Sequence, residues 1–230
     1  MAHKFRDRRD AGRRLAALLD GFSGERPIVT GVPRGGVPVA AEVARSLSAP
    51  LDVVVARKLG SPVNPEYGIG AVAEGGARVI DEQTVRRLGI GPEQLGAILA
   101  KADRELGVLT LHLRAGHPPI GVEGRTAILV DDGLATGRTA RAAALSLRRR
   151  GAAKVVLAVP VAARLSVAEL ADSVEEVVSV YRPDDLWAIG LWYEDFRPTS
   201  EEVVLALLAH GRDAGRAPID RVRQDREQDS

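Results

Sequence analysis

Apolar positions recur along this chain with two spacings that alternate. From Arg6 to Leu19 they fall at Ala11, Leu15, Leu18 and Leu19, near one helical face, while Arg8, Arg9, Arg13 and Arg14 lie largely elsewhere. That spacing predicts an amphipathic first helix. Pro27 to Val32 reads as a buried strand, Pro33-Arg34-Gly35-Gly36 as a turn, Val37 to Leu47 as a helix and Leu51 to Ala56 as a second strand. A strand–helix–strand unit with so short a turn implies a parallel sheet and a right-handed crossover. Arg57 to Glu74 is too polar and too interrupted by Gly and Pro for one element, and reads as a long functional loop ending in a short strand. Pro92 to Leu113 carries Leu95, Ile98, Leu99, Ala102, Leu106, Leu109 and Leu113, a helical stripe assigned to an insertion.

In the second half an apolar strand ends at Val130, and Arg138 to Arg150 forms a helix stopped by Gly151. Lys154 to Val161 makes the next strand, Val167 to Ala171 a helix, Glu176 to Val180 a strand and Glu201 to Leu208 a last helix. Arg148, Arg149 and Arg150 close their helix where cations complement its dipole, a simpler account of them than nucleic-acid binding. Residues 211–230 are rich in Arg and Asp without apolar periodicity and are expected to be a disordered tail. The pattern therefore predicts one α/β domain over 1–210, with a mainly parallel central sheet and helices on both faces. An insertion is placed at about 82–118 and a small hood at about 181–200.

Composition narrows the chemistry more than the architecture. The 230 residues are 45% apolar and 27% charged, enough for one α/β core. A net charge of +1 gives no reason to expect a dedicated nucleic-acid or membrane binder. No apolar run reaches membrane-spanning length, and Met1 to Arg6 lacks the apolar centre of a secretory signal, so a cytoplasmic location is expected. With no cysteine, and four histidines that show no metal-ligand spacing, chemistry must rest on carboxylates, Arg, Lys, hydroxyls and backbone.

The stretch Ala127-Ile128-Leu129-Val130-Asp131-Asp132-Gly133-Leu134-Ala135-Thr136-Gly137-Arg138-Thr139 carries the functional signal. A buried strand runs into two acids, then into a small-residue loop that opens a helix. Gly133 to Gly137 can present successive backbone N–H groups at a helix N-terminus, which favours an anion. The acids cannot favour phosphate, but they can accept hydrogen bonds from neighbouring hydroxyls. An anion cradle beside a diol clamp suits a ribose 5-phosphate. The plainer alternative is a helix-start turn with Asp132 as its cap. A nucleotide-hydrolase reading fails because no G-x-x-x-x-G-K-[ST] loop precedes the acids, and Gly68-Ile69-Gly70 lacks the strand and helix of a dinucleotide fingerprint.

The same thirteen residues closely resemble the phosphoribosyl-diphosphate signature of type I phosphoribosyltransferases. That resemblance implies a doubly wound, mainly parallel α/β fold. It implies that Asp131 and Asp132 hold the ribose 2- and 3-hydroxyls, and that Gly133, Ala135, Thr136, Gly137, Arg138 and Thr139 surround the 5-phosphate. Arg34, Gly35 and Gly36 inherit a diphosphate-binding role by motif position, in a loop that often contains a cis peptide. Arg57 and Lys58, expected at the same sheet edge, would stabilise the leaving group, and Gly60 to Gly70 would be the mobile loop closing over the reaction, with Glu66 and Tyr67 as candidate contacts. Mg²⁺ is the implied cofactor, bound mainly by diphosphate and ribose oxygens, with Asp131 and Asp132 acting directly or through water.

Tyr181 to Phe196 holds five of the eight aromatic residues, and there Trp187 is either a stacking surface for a planar acceptor or part of a local core. Pro183-Asp184, Gly190, Glu194 and Asp195 loosely follow the pattern of purine-using members, with one extra residue between Pro183 and Gly190. Members acting on 6-oxopurines usually carry an acid where this chain has Ala135, and a lysine after the next strand where it has Pro160 to Arg164. Both departures argue against hypoxanthine or guanine salvage. The implied reaction is transfer of 5-phosphoribosyl from its 1-diphosphate to a small nitrogenous acceptor. Two alternatives remain: a regulator that senses phosphoribosyl diphosphate and binds RNA or protein through Arg8, Arg9, Arg13 and Arg14, and a hydrolase of a sugar phosphate. No general base is identifiable, and a homo-oligomer is left open.

Overall fold

The computed structural model describes residues 4–64 and 67–214. Helix α1 (Arg8–Ala16) starts at Asp7, whose carboxylate accepts the Asp10 N–H and caps the first turn. Strand β1 (Ile28–Gly31), helix α2 (Gly36–Ser46) and strand β2 (Leu51–Val53) form the expected first unit. Strands β3 (Ala56–Gly60), β4 (Gly68–Ala73) and β5 (Ala77–Ile80) follow, then helices α3 (Glu82–Arg87) and α4 (Pro92–Arg114). The second half runs β6 (Thr126–Val130), α5 (Arg138–Arg149), β7 (Lys154–Val161), α6 (Arg164–Glu169), β8 (Glu176–Tyr181) and α7 (Glu201–Ala214).

The main sheet has the order β2-β1-β6-β7-β8 with every pairing parallel. Its central strands are apolar on both sides because helices cover both faces. Period-two alternation sorts their side chains: Val29, Ile128, Val130, Val156 and Ala158 join the core under α2, α4 and α7. Ile28, Ala127, Leu129, Val155 and Leu157 join Ala142, Ala143 and Leu147 of α5 on the other face. This is the mainly parallel, doubly wound α/β arrangement expected from the sequence. Among the described residues no helix is long and apolar enough to cross a membrane.

The structure corrects the expected middle of the chain. Leu51 to Ala56 is not one strand: the chain leaves the main sheet after Val53 and enters a separate antiparallel sheet of order β3-β4-β5. Val54 and Val55 are both fully buried at this passage, so nothing polar marks the break. Their backbones bridge the two sheets: the Val54 N–H donates to Gly31 and the Val55 carbonyl accepts from Glu74. The short strand expected at the end of Arg57 to Glu74 is β4, but the loop before it is shorter than expected, since β3 occupies Arg57 to Gly60 and pairs with β4. Its glycines serve close packing here, because a Cβ on Gly70 would lie 2.3 Å from the Val79 carbonyl oxygen of β5.

Smaller differences follow the same logic of tertiary partners. Helix α6 begins three residues before the expected Val167, where the Arg164 N–H donates to Pro183 and its guanidinium meets Asp184. The last helix continues past Leu208 to Ala214, with Gly211 closely apposed to Leu51 of β2. The expected tail is thus helical over 211–214, and its remainder, 215–230, lies outside the described residues. At the end of α5 the three arginines have individual partners beyond the dipole: Glu175 for Arg148, the Gly75 carbonyl for Arg149, and Glu74 with the Ile120 carbonyl for Arg150.

Candidate functional site

Strand β1 continues through α2 to β2 on one side, and β6 continues through α5 to β7 on the other. The neighbouring ends of β1 and β6 are therefore the switch point of the sheet, where the loops diverge and leave a crevice. The two loops of interest meet there. The first contains a cis peptide between Pro33 and Arg34, and it is tied to the sheet by Gly36 N–H to Val32 and Val32 N–H to Val130 hydrogen bonds of 2.9 and 2.8 Å. Arg34 is exposed and forms no ion pair among the described residues.

Glycine is required at 35 and 36 by what lies against them. A Cβ on Gly36 would stand 2.7 Å from the Val130 carbonyl oxygen and 2.9 Å from the Asp131 Cα. One on Gly35 would stand 2.0 Å from Asp132 Oδ2. The Gly35 backbone, at φ −65° and ψ −34°, suits any residue, so this contact alone excludes a side chain. Gly35→Ala should accordingly lower stability by about 1–3 kcal/mol, the usual range for overpacking. Gly21→Ala, with nothing within 4 Å of the new methyl, serves as the neutral control in the same thermal melts. Equal melting of the two variants would contradict the close approach of loop and acid.

The two acids differ in their surroundings. Asp131 accepts the Asp132 N–H at 2.8 Å through Oδ1. Burial, reinforced by the Asp132 charge, pushes its carboxyl well above the usual range. Burial also raises Asp132, but the Arg8 guanidinium opposes the shift. Arg8 Nε and Nη2 lie 2.9 and 2.8 Å from Asp132 Oδ2, with only 11% and 15% of the two side chains exposed. Two acidic oxygen donors without a third acid beside them suit Mg²⁺ that takes its other ligands from water and substrate; among the described residues no group of three potential metal ligands occurs.

Beyond the acids, Leu134 is stitched to β7 and its exit, donating to Val161 and accepting from Ala163. Ala135 is fixed through its carbonyl, which accepts from the Ser166 hydroxyl of α6. Gly137 takes the left-handed conformation, φ 71°, and starts α5. The N–H groups of Ala135, Thr136 and Gly137 donate to no acceptor among the described residues, so they and the helix terminus form an anion-favouring cradle. Arg138 points to Asp81, the cap of α3, at 2.5 Å, and Thr139 is half-buried in the first turn of α5. A cleft of about 360 Å³ opens beside Thr136, Gly137 and Arg138, facing Asp81, Glu82 and Arg141.

The residues after β8 pack over this centre together with the N-terminus. Phe5 and Tyr193 form a bridge, and Glu194 and Asp195 donate N–H groups to Phe5 and Arg6. Trp192, Tyr181, Phe5, Tyr193 and Phe196 make tilted ring contacts in that order, with successive centroids 4.9–5.4 Å apart. The Tyr193 hydroxyl donates to the Asp132 carbonyl at 2.7 Å, and burial raises its pKa.

Residues 6–194 match the phosphoribosyl transferase domain family. The chain belongs to that family. It is 47% identical over 204 residues to a protein of Mycobacterium tuberculosis, from two strains, provisionally named a phosphoribosyl transferase. The match covers 89% of this chain and 46% of the relative, so the chain spans about half the length of the curated relatives it matches. The solved structure of TT1426 from Thermus thermophilus is 42% identical with a TM-score of 0.76, covering 90% of this chain and 98% of that one.

Within this phosphoribosyl transferase domain, not every residue singled out from the sequence gathers at the crevice. Arg57 and Lys58 lie in β3, not at the end of a main-sheet strand, and Arg57 is paired with Glu105 of α4 at 2.8 Å. Lys58 packs along Gly68. Tyr67 meets Arg87 of α3, while Glu66 lies outside the described residues. Trp187 is 90% exposed, which removes it from the aromatic core. Asp195 turns to Arg197, which holds its carboxyl at about 2. The arginines expected to make a basic surface on α1 each face a carboxylate: Arg8 faces Asp132, Arg9 faces Glu42, and Arg13 and Arg14 face Asp10. Arg8 was not among the residues the motifs indicated. Its signal was a cation in the first turn of a helix, where the dipole disfavours it unless another partner is present.

Proposed function

We propose that the protein transfers a 5-phosphoribosyl group from phosphoribosyl diphosphate to a small nitrogenous acceptor and releases diphosphate. The observation that carries this reading is the contact of Gly35 and Gly36 with Asp132 and Asp131 across the β1/β6 switch point. It sets a glycine turn suited to diphosphate beside two acids suited to a diol, one turn of loop away from an anion cradle.

In this reading Asp131 and Asp132 accept hydrogen bonds from the ribose hydroxyls. The loop from Gly133 through Ala135, Thr136 and Gly137, with Arg138 and Thr139, receives the 5-phosphate. The bond from the anomeric carbon to diphosphate oxygen breaks, its electron pair leaves with diphosphate, and a bond to the acceptor nitrogen forms as that nitrogen loses its proton. Charge accumulating on the leaving group would be met by the 33–36 backbone and Arg34, and by Arg57 and Lys58 once they turn to the substrate. Mg²⁺ would neutralise diphosphate charge, with Asp131 and Asp132 as its protein oxygens, directly or through water. Ala135 leaves the loop without the acid of 6-oxopurine enzymes, and exposed Trp187 offers a face to a planar acceptor.

Calorimetric titration with phosphoribosyl diphosphate and Mg²⁺ tests the donor site, and diphosphate release across a set of nitrogenous acceptors tests the reaction. Micromolar binding followed by acceptor-dependent diphosphate release is expected. Absence of binding by folded protein would reject the reading. Binding without release for any acceptor would instead indicate a sensor, and acceptor-independent inorganic phosphate a hydrolase.

A further inference from the structure

Arg8 is separated from Asp132 by 124 positions, yet both its Nε and Nη2 lie on one carboxylate oxygen, Oδ2. The two N–H donors of one planar guanidinium converge on that oxygen and fix its position. Arg8 is itself held on three sides. Its Nη1 donates to the Arg197 carbonyl at 2.8 Å, and its guanidinium carbon sits 4.0 Å from the Phe196 ring centroid and 6.0 Å from that of Tyr193. Tyr193 in turn donates to the Asp132 main chain. Side chain and backbone of one acid are thus clamped by the N-terminal helix and the segment 193–197.

We infer that Arg8 is a positioning residue for sugar recognition: it orients Asp132 through Oδ2 so that the other carboxylate oxygen faces a ribose hydroxyl. The inference rests on the phosphoribosyl reading and deepens it. Its consequence is selectivity, because an acid anchored through one oxygen and its own backbone rewards a hydroxyl at one place, whereas a freely turning acid discriminates less. A residue that merely stabilised the fold would affect all sugar phosphates alike.

The test is calorimetric binding of ribose 5-phosphate and of 2-deoxyribose 5-phosphate, each with Mg²⁺, to wild type, Arg8→Gln and Arg8→Lys. Wild type should prefer the ribose compound. In Arg8→Gln that preference should shrink by roughly fivefold or more, the scale of one charge-assisted hydrogen bond, while binding of the deoxy compound changes little. Arg8→Lys, which keeps the charge but not the fork, should fall between the two. If Arg8→Gln does not fold, Phe196→Leu withdraws the ring beneath the guanidinium and should reduce the same preference to a smaller extent. Equal proportional loss for both sugars, or an unchanged preference, overturns the role of Arg8 while leaving the donor site intact. Wild type that binds phosphoribosyl diphosphate but does not distinguish the two sugars overturns it as well. Wild type that binds none of these compounds defeats the phosphoribosyl reading, and the inference with it.

Discussion

Asp131→Asn and Asp132→Asn should each weaken binding of phosphoribosyl diphosphate sharply, and together by about a hundredfold or more, since two charge-assisted hydrogen bonds are lost at once. Their effects on stability should diverge. Asp131 is a half-buried residue whose charged carboxylate the fold disfavours, and its acceptor role toward the Asp132 N–H can be kept by an amide oxygen. Asp131→Asn should therefore melt at or above the wild-type temperature when neither metal nor substrate is present. The sign follows from the raised pKa. Below the ordinary carboxylate range, about 3.9, Asp131 is protonated in both folded and unfolded chains and the variant gains nothing. As pH rises from there toward the raised folded pKa, the unfolded chain ionises first, wild type loses stability, and the variant's advantage grows. Asp132→Asn should gain less at neutral pH, because the relief of its disfavoured charge is opposed by Arg8 losing its counter-ion in a largely buried setting. Melting curves from pH 4 to 8, beside the binding titrations, check both halves. A destabilised Asp131→Asn at pH 8 would show that its carboxylate is compensated by something other than Arg8.

That contrast also marks the limit of what the sequence discloses. Strand, acids and loop from Ala127 to Thr139 are contiguous, so one local pattern contains backbone geometry and chemistry together. The same holds for Pro33 to Gly36, whose glycines stand where the backbone meets the acids. What remained hidden depended on distant partners. Nothing near Asp132 in sequence announces Arg8, although Arg8 at a helix start was electrostatically out of place. Val54 and Val55 carry no turn residue, so the passage between two sheets read as one strand. Gly68 and Gly70 read as loop residues but lie in β4, because glycine's two uses, freedom and close approach, look identical in one dimension. Trp187 looked equally suited to core or stacking surface until Phe5, distant from Tyr193 in sequence but adjacent to it in space, filled the aromatic cluster instead.

The position of β3, and hence of Arg57 and Lys58, depends on a buried ionic cluster, and Arg114→Ala should dismantle it. Arg114, 8% exposed at the end of α4, donates to Asp52 at 3.2 Å, to the Val53 carbonyl at 3.0 Å and to both oxygens of Glu74 at 2.7 and 2.8 Å. Arg150 reaches Glu74 and the Ile120 carbonyl, and the Ile120 N–H closes the circuit on Asp52. Asp52 belongs to the main sheet, Glu74 follows β4, and α4 and α5 supply the cations, so the cluster joins the two sheets where the chain passes between them. Burial disfavours the Arg114 charge, but Asp52 and Glu74 more than offset it, and the guanidinium is raised above its ordinary pKa. Removing it leaves two largely buried acids with Arg150 as the one cation among the described residues that faces them. The expected loss is about 3–5 kcal/mol, as for other broken buried pairs. For a domain of this size that means a melting temperature lower by roughly 6–20 °C. Removing the charges together, as Asp52→Asn, Glu74→Gln and Arg114→Met, should recover much of that loss, because an uncompensated charge costs more than a missing pair. If the single and triple variants melt alike, the packing of the Arg114 stem, not its charge, holds the sheets together.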